Sequence, residues 1–191
     1  MRVLVVYESL YGNTRIVANC VAEGLREQHE VEVVPVSGAG ADLVDDSDVL
    51  VVGGPTQFHG LSSDWSRRIG AEAAGNPRGG VEVEPGAVGV GLREWLFNVN
   101  PGGERQAAAF DTRFEGLTLL TGRASSGIAH RLGKRGYHLI TGPASFLVDR
   151  RNALLPGEAA RARVWGATLA RALEPVSPSA WSARSSGRKA W

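Results

Sequence analysis

The chain has 191 residues, 43% of them hydrophobic and 21% charged, a balance that fits one ordinary domain with a real core and excludes a disordered or fibrous chain. Its net charge of +1 is unevenly spread: residues 175–191 hold Arg184, Arg188 and Lys189 with no acid, so that stretch is +3 and residues 1–174 are −2. A body so near neutral offers no basic face for nucleic acid, and apolar runs as short as residues 3–7 and 49–52 fall far below the roughly 20 residues of a membrane helix. With no charged-then-apolar leader, a cytoplasmic location is expected.

In chain order, residues 2–7 (RVLVVY) are apolar and β-branched, the pattern of a strand buried on both faces. They break into Glu8-Ser9-Leu10-Tyr11-Gly12-Asn13-Thr14. A helix follows, with apolar pairs at Ile16/Val17, Cys20/Val21 and Gly24/Leu25. Cys20, the single cysteine, lies on that face and reads as a buried structural thiol. Residues 30–35 alternate acid and valine, as an edge strand does, and residues 49–52 are a third strand that stops at Gly53-Gly54-Pro55. Residues 62–74 form a helix capped by Ser62 or Ser63, with Asp64 in its first turn. Residues 76–91 are rich in Gly and Pro, and Leu92, Trp95, Leu96 and Val99 follow at helical spacing. Residues 106–110 are a fourth strand, broken by Asp111-Thr112-Arg113. Ser125 or Ser126 caps a helix running to Gly136. Residues 137–140 and 145–148 read as a fifth strand interrupted by Gly142-Pro143. A final helix at 158–173 presents Val164, Trp165, Leu169 and Leu173. The stretch at 175–191 reads as a disordered basic tail.

Strands alternating with helices imply right-handed crossovers and a parallel sheet covered on both faces. Ligands of such sheets bind at the carboxyl ends of the strands. Three loops meet there: residues 8–14, 55–61 and 111–114. The first is an anion site by construction, because the first N–H groups of the helix point at a hydroxyl-rich turn. Its helix has no acid in the first turn and carries Arg15, which opposes the helix dipole and is easier to accept if a bound phosphate supplies negative charge. Without a ligand, the stretch is a plain strand-to-helix turn with Asn13 or Thr14 as N-cap.

Other chemistries lack their residues. No Gly-x-Gly-x-x-Gly follows a strand, and Gly133-Lys134 is followed by Arg135, so neither a dinucleotide fingerprint nor a triphosphate loop is present. Ser125-Ser126 near His130 lacks the Gly-x-Ser-x-Gly turn of a hydrolase. His29, His59, His130 and His138 are scattered, without the paired spacing of a metal site. A receiver domain needs an aspartate ending strand three, where Gly53-Gly54-Pro55 stands. A low-molecular-weight phosphatase needs its cysteine in the first loop, and Cys20 lies inside the helix.

YESLYGNTR before an apolar helix, then VVGGPTQFHGLS, then AAAFDTR, resembles the flavodoxin family of FMN-binding flavoproteins, in order over residues 1–174. The resemblance implies an α/β flavodoxin-like three-layer sandwich, a five-stranded parallel sheet of order 2-1-3-4-5 with one FMN at the strand tips. Ser9, Leu10, Tyr11, Gly12, Asn13 and Thr14 match the family's phosphate loop. Pro55, Thr56, Gln57, Phe58, His59 and Gly60 match the loop against the isoalloxazine ring, and Asp111, Thr112 and Arg113 the loop near its pyrimidine edge. Tyr11 stands where carriers often have threonine, as a ligand hydroxyl or as a lid over the ribityl chain. Family carriers sandwich the flavin between aromatics, for which this chain offers Phe58 and Phe114.

On that resemblance no residue is assigned a catalytic role of its own. The redox work belongs to the flavin and its tuning to the protein. Arg113, or a backbone N–H beside it, would stabilise the reduced anionic ring, the alternatives being a salt bridge to Asp111 or a solvated surface arginine. His59 would influence proton delivery, or face water. The chain reads as an FMN-binding redox protein of electron transport, with a reductase or an acceptor protein as partner and neither nucleic acid nor membrane. Two other readings stand beside it: an oxidoreductase acting on a small acceptor such as a quinone, and a degenerate domain that binds a partner without FMN.

Overall fold

The computed structural model describes residues 1–57, 60–74, 83–84, 89–100, 105–116 and 122–173. Phe58, His59, the tail at 175–191 and most of the Gly/Pro-rich stretch at 76–91 lie outside the described residues.

The apolar run at the start is β1 (Arg2–Tyr7), flanked in parallel by β2 (Glu30–Pro35) and β3 (Val49–Gln57). Beyond β3 lies β5 (Gln106–Phe114), also parallel. Its outer edge is shared by β6 (His138–Leu139), which pairs with Gln106 and Ala107, and β7 (Ala144–Val148), which pairs with residues from Phe110 onward. The fifth strand is thus one position filled by two segments, interrupted around Gly142-Pro143 as the sequence implies. The five parallel positions follow the expected order. The sheet differs in counting seven strands, because the fifth position is split and β4 (Gly60–Leu61) folds back antiparallel on Thr56 and Gln57.

Side chains alternate across the pleat, so each strand feeds two cores. Val3 and Val5 point with Val49, Val51 and Phe110 into one cluster, against α1 (Asn13–Leu25) and α6 (Glu158–Ala172). Leu4 and Val6 point with Leu50 and Val52 into the other. That layer holds α2 (Ala41–Asp45), α4 (Leu92–Asn98) and α5 (Ala124–Lys134), while α3 (Asp64–Ala74) follows the β3–β4 hairpin. Leu92, Trp95, Leu96 and Val99 are all buried, as their spacing predicts. No helix of the described residues is long and apolar enough to cross a membrane.

Several boundaries differ from the sequence reading. The third strand does not stop at Gly53, nor the fourth at Phe110. Gly53, Gly54 and Pro55 pair with Phe110, Asp111 and Thr112, and Asp111–Phe114 continue against β7. Asp111, Thr112 and Arg113 are strand residues, because a parallel neighbour 34 residues further on supplies their partners. The one-turn helix α2 lies in a stretch that shows no helical period. The first helix buries Val17/Ala18, Val21/Ala22 and Gly24/Leu25, rotated from the expected face, and Ile16 is exposed. Cys20 is half-buried rather than sealed in; burial, then Glu23, pushes its thiol pKa up and keeps it protonated. On α6 the buried residues are Ala162, Gly166, Leu169 and Ala170, and Val164 is 63% exposed.

The small face of α6 has a reason. A β-carbon on Gly24 would overlap the Arg163 carbonyl oxygen, and one on Gly166 would overlap that of Val21. The two helices therefore meet backbone to backbone, glycine against glycine. Any side chain there forces them apart.

Candidate functional site

β1, β3 and β5 all end at one edge, and their following segments form a single cleft. From the first loop come Ser9, Leu10, Tyr11, Asn13 and Thr14; from the end of β3, Pro55, Thr56 and Gln57; from the end of β5, Thr112 and Arg113. Ten of the fifteen residues expected from sequence thus share one wall system. Gly12 and Gly60 are not among the lining residues but adjoin them, Gly12 bonded to Ser9 and Gly60 paired with Gln57. Asp111 is fully buried beneath it.

The first loop is shaped by Gly12, which adopts φ 91° as the residue preceding α1 and donates its N–H to Ser9 Oγ at 3.0 Å. A left-handed residue at this corner is natural for glycine and costly for others. The first intrahelical donor is Ile16, bonding to the Gly12 carbonyl at 3.0 Å. The N–H groups of Asn13, Thr14 and Arg15 therefore open toward the loop without helical acceptors. Neither Asn13 nor Thr14 caps the helix. Thr14 Oγ1 instead lies 2.8 Å from Thr112 Oγ1, so hydroxyls of the first and third segments meet.

The negative charge that the first turn lacks in sequence comes from far along the chain. Arg15 Nε pairs with Glu84, whose backbone N–H bonds to the Leu10 carbonyl at 3.0 Å. A β-carbon on Gly12 would lie 3.5 Å from the Glu84 carboxylate. The Glu84 hydrogen bond raises the pKa of Arg15 further. Burial, then the Glu84 charge, pushes the Tyr7 phenol up, and burial does the same to Tyr11. Tyr11 stays a neutral hydroxyl in the cleft wall.

The second and third segments serve α5 as well as the cleft. Thr56 Oγ1 accepts from Ala124 N at 2.9 Å, and Asp111 Oδ2 from Ser125 N at 2.7 Å. The cap of this helix is therefore made by Asp111 and Thr56 from neighbouring strands, not by Ser125 or Ser126, and Ser125 Oγ is itself buried. By accepting there, Thr56 keeps its own O–H as a donor for the cleft. Gln57 Oε1 accepts from Ser66 Oγ at 2.7 Å. Ser63 and Ser66 exchange backbone and hydroxyl bonds at 3.2 and 2.8 Å, which fixes the start of α3 at Asp64 and selects Ser63 as its cap.

Arg113 makes no ion pair with Asp111: its Nη1 donates to the carbonyls of Phe114 at 3.2 Å and Gly116 at 3.0 Å. Among the described lining residues it is the only charged side chain. Behind the first loop, Glu8 is buried, accepting from Ser62 Oγ and, at 2.6 Å, from Leu92 N at the start of α4.

Two cleft residues, Val148 and Asn152, escape a motif-based reading, and Phe114, the aromatic that the third loop offers, lines the cleft with them. Phe114 presents a ring that is 49% exposed at the rim. Val148 ends β7, and Asn152 sits in the turn after it. Hydroxyls, a helix N-terminus, a rim aromatic and a single cation suit a phosphate monoester joined to a polar chain and a flat apolar group. Asn152 Nδ2 is shut from solvent and has no acceptor among the described residues.

The family model for flavodoxin matches residues 5–80, which include the first two loops. No curated protein matches the chain by sequence. Among solved structures, a flavodoxin from the domain Archaea is 19% identical with a TM-score of 0.62, covering 90% of this chain and 97% of its own. Oxidised flavodoxin 1 from Bacillus cereus is 16% identical with a TM-score of 0.62, covering 91% and 100%. A flavodiiron core from Synechocystis, 16% identical with a TM-score of 0.59, covers 91% of this chain and 36% of its own. These identities speak to fold alone. The chain thus matches the flavodoxin family model over residues 5–80 and shares the α/β fold of flavodoxins.

Proposed function

We propose that the chain binds FMN in this cleft and serves as a redox protein in electron transfer. The observation that carries the reading is the Thr14–Thr112 hydroxyl pair, 2.8 Å apart at the open N-terminus of α1, with Ser9 and Thr56 on the same wall. This is a donor set for a phosphate that needs no lysine, because backbone N–H groups and the helix dipole supply the field. When bound, FMN supplies the reversible redox chemistry. Ser9, Thr14 and the first-turn N–H groups would hold its phosphate, Thr112 would brace Thr14, and Thr56 would lie with the second loop against the ring. Phe114 would cover part of the ring. Arg113 would place positive charge at the rim, favouring the added negative charge of the reduced state.

The decisive experiment is the visible spectrum of the purified protein, before and after incubation with FMN. A flavin spectrum with stoichiometric, retained FMN is expected. A colourless protein that fails to take up FMN would sink the reading and leave a flavodoxin-like domain that binds a partner.

A second reading, a reductase of a small acceptor such as a quinone, is favoured by the charge of residues 1–174, only −2. Docking to a basic partner through complementary fields calls for a more acidic surface. Anaerobic mixing with NAD(P)H separates the two. Rapid flavin reduction without another protein indicates the enzyme, and reduction only with a partner reductase indicates the carrier.

A further inference from the structure

We infer that Asn152 is a fourth-segment ligand for the phosphate of the bound mononucleotide, and that it helps the cleft select FMN over the phosphate-free flavin. The inference rests on the FMN reading above. None of the three loops contains this residue.

The turn after β7 is built to hold one geometry. Asp149 Oδ1 accepts from Arg151 N at 2.8 Å and Ala153 N at 2.9 Å. The backbone closes with Asp149 N on the Ala153 carbonyl at 2.8 Å and Asn152 N on the Asp149 carbonyl at 3.0 Å. Within it Asn152 takes φ 60°, the only positive φ of a non-glycine residue among those described. Asparagine tolerates this conformation better than most residues, and its place there orients the side chain.

One contact then places it. Asn13 Nδ2 donates to the Asn152 carbonyl at 2.7 Å, tying the turn to the first residue of α1. Asn152 lines the cleft, and its Nδ2 is shut from solvent with no acceptor among the described residues. Native structures leave few buried donors unpaired, and those that remain call for a partner. The tether to Asn13 puts this donor beside the open helix N-terminus, where a phosphate oxygen is the acceptor that the surrounding donors also favour.

The test titrates the full chain, freed of flavin, with FMN and in parallel with riboflavin, following flavin fluorescence. Asn152→Gly keeps the positive φ and removes the amide; Asn152→Asp keeps the shape and replaces the donor by a carboxylate. FMN dissociation constants are expected to rise about tenfold in the first and about a hundredfold in the second, with riboflavin changed less than about twofold. Equal weakening of both flavins, or wild-type FMN affinity in Asn152→Gly, overturns the inference alone. If the glycine variant does not fold, the aspartate variant decides by the same FMN-to-riboflavin ratio. A wild-type chain that binds neither flavin overturns the FMN reading and this inference with it.

Discussion

The hydroxyls of Thr14 and Thr112 meet at 2.8 Å across 98 residues of sequence, the first at the start of α1 and the second near the end of β5. Both residues are buried, at 2% and 5% exposure, so neither hydroxyl has water as an easy substitute. Thr112→Val keeps the shape and strands the Thr14 hydroxyl. An unpaired buried hydroxyl costs about 1–3 kcal/mol, so the chain should lose that much stability in urea unfolding. FMN affinity should fall by about tenfold through the displaced Thr14. Unchanged stability together with unchanged affinity would show that the pair does not organise the cleft.

Glu84 brings a carboxylate to the same helix end that a phosphate would occupy. Glu84→Gln removes that charge while keeping the length of the side chain, and leaves Arg15 without its anion. FMN should then bind more tightly, by roughly threefold at low salt, with the gain fading as ionic strength rises. Weaker binding in this variant would mean instead that Glu84 supports the loop more than it opposes the ligand.

Arg113 spends part of its guanidinium on the Phe114 and Gly116 carbonyls, yet it keeps its charge at the cleft wall. Arg113→Ala should make the reduction potential of bound flavin more negative, since a positive charge nearby favours the reduced anion. Spectroelectrochemical titration reads this directly. A potential equal to that of the wild type would reassign Arg113 to bracing the strand end.

Glu158 gives the clearest pH signature. Burial alone would raise its pKa, but hydrogen bonds from Arg161 and from Leu147 N, the latter at 2.7 Å, hold it below the usual carboxylate range. A depressed pKa means stability present above the unfolded-state value and lost as pH falls through the folded one. Glu158→Gln should therefore cost about 1–3 kcal/mol at pH 7, a deficit that narrows steadily below pH 5. Urea unfolding of both proteins at pH 7 and pH 4 checks it. A deficit that widens on acidification would contradict the assigned direction.

What sequence could show here follows from how local the cause is. The strand, turn and helix of residues 2–25 depend on near neighbours, so their pattern is readable, as is the split of the last strand at Gly142-Pro143, whereas the order of the parallel positions followed from the family resemblance. The pairing that carries β3 and β5 onward past Gly53 and Phe110 comes from other strands, and no periodicity within either segment announces it. The same holds for Asp111. Its carboxylate caps α5 from the neighbouring strand, a role invisible beside Thr112 and Arg113, which do line the cleft. Glu84, 69 residues from Arg15, and Asn152, 139 residues from Asn13, meet their partners only once the chain is folded.

The glycine contact between α1 and α6 bears on the order in which the molecule is built. The first loop closes at Gly12, yet the helix it opens rests on Gly166, more than 140 residues later. Residues 5–80, which hold the family signature, lack both that support and the strand that continues β3. Contacts so distant in sequence are slow to form and leave apolar faces waiting. Without α6, Val17, Val21 and Leu25 would keep only the sheet side of their cluster, Val3, Val5, Val49 and Val51 among it, and lose the helix that closes it.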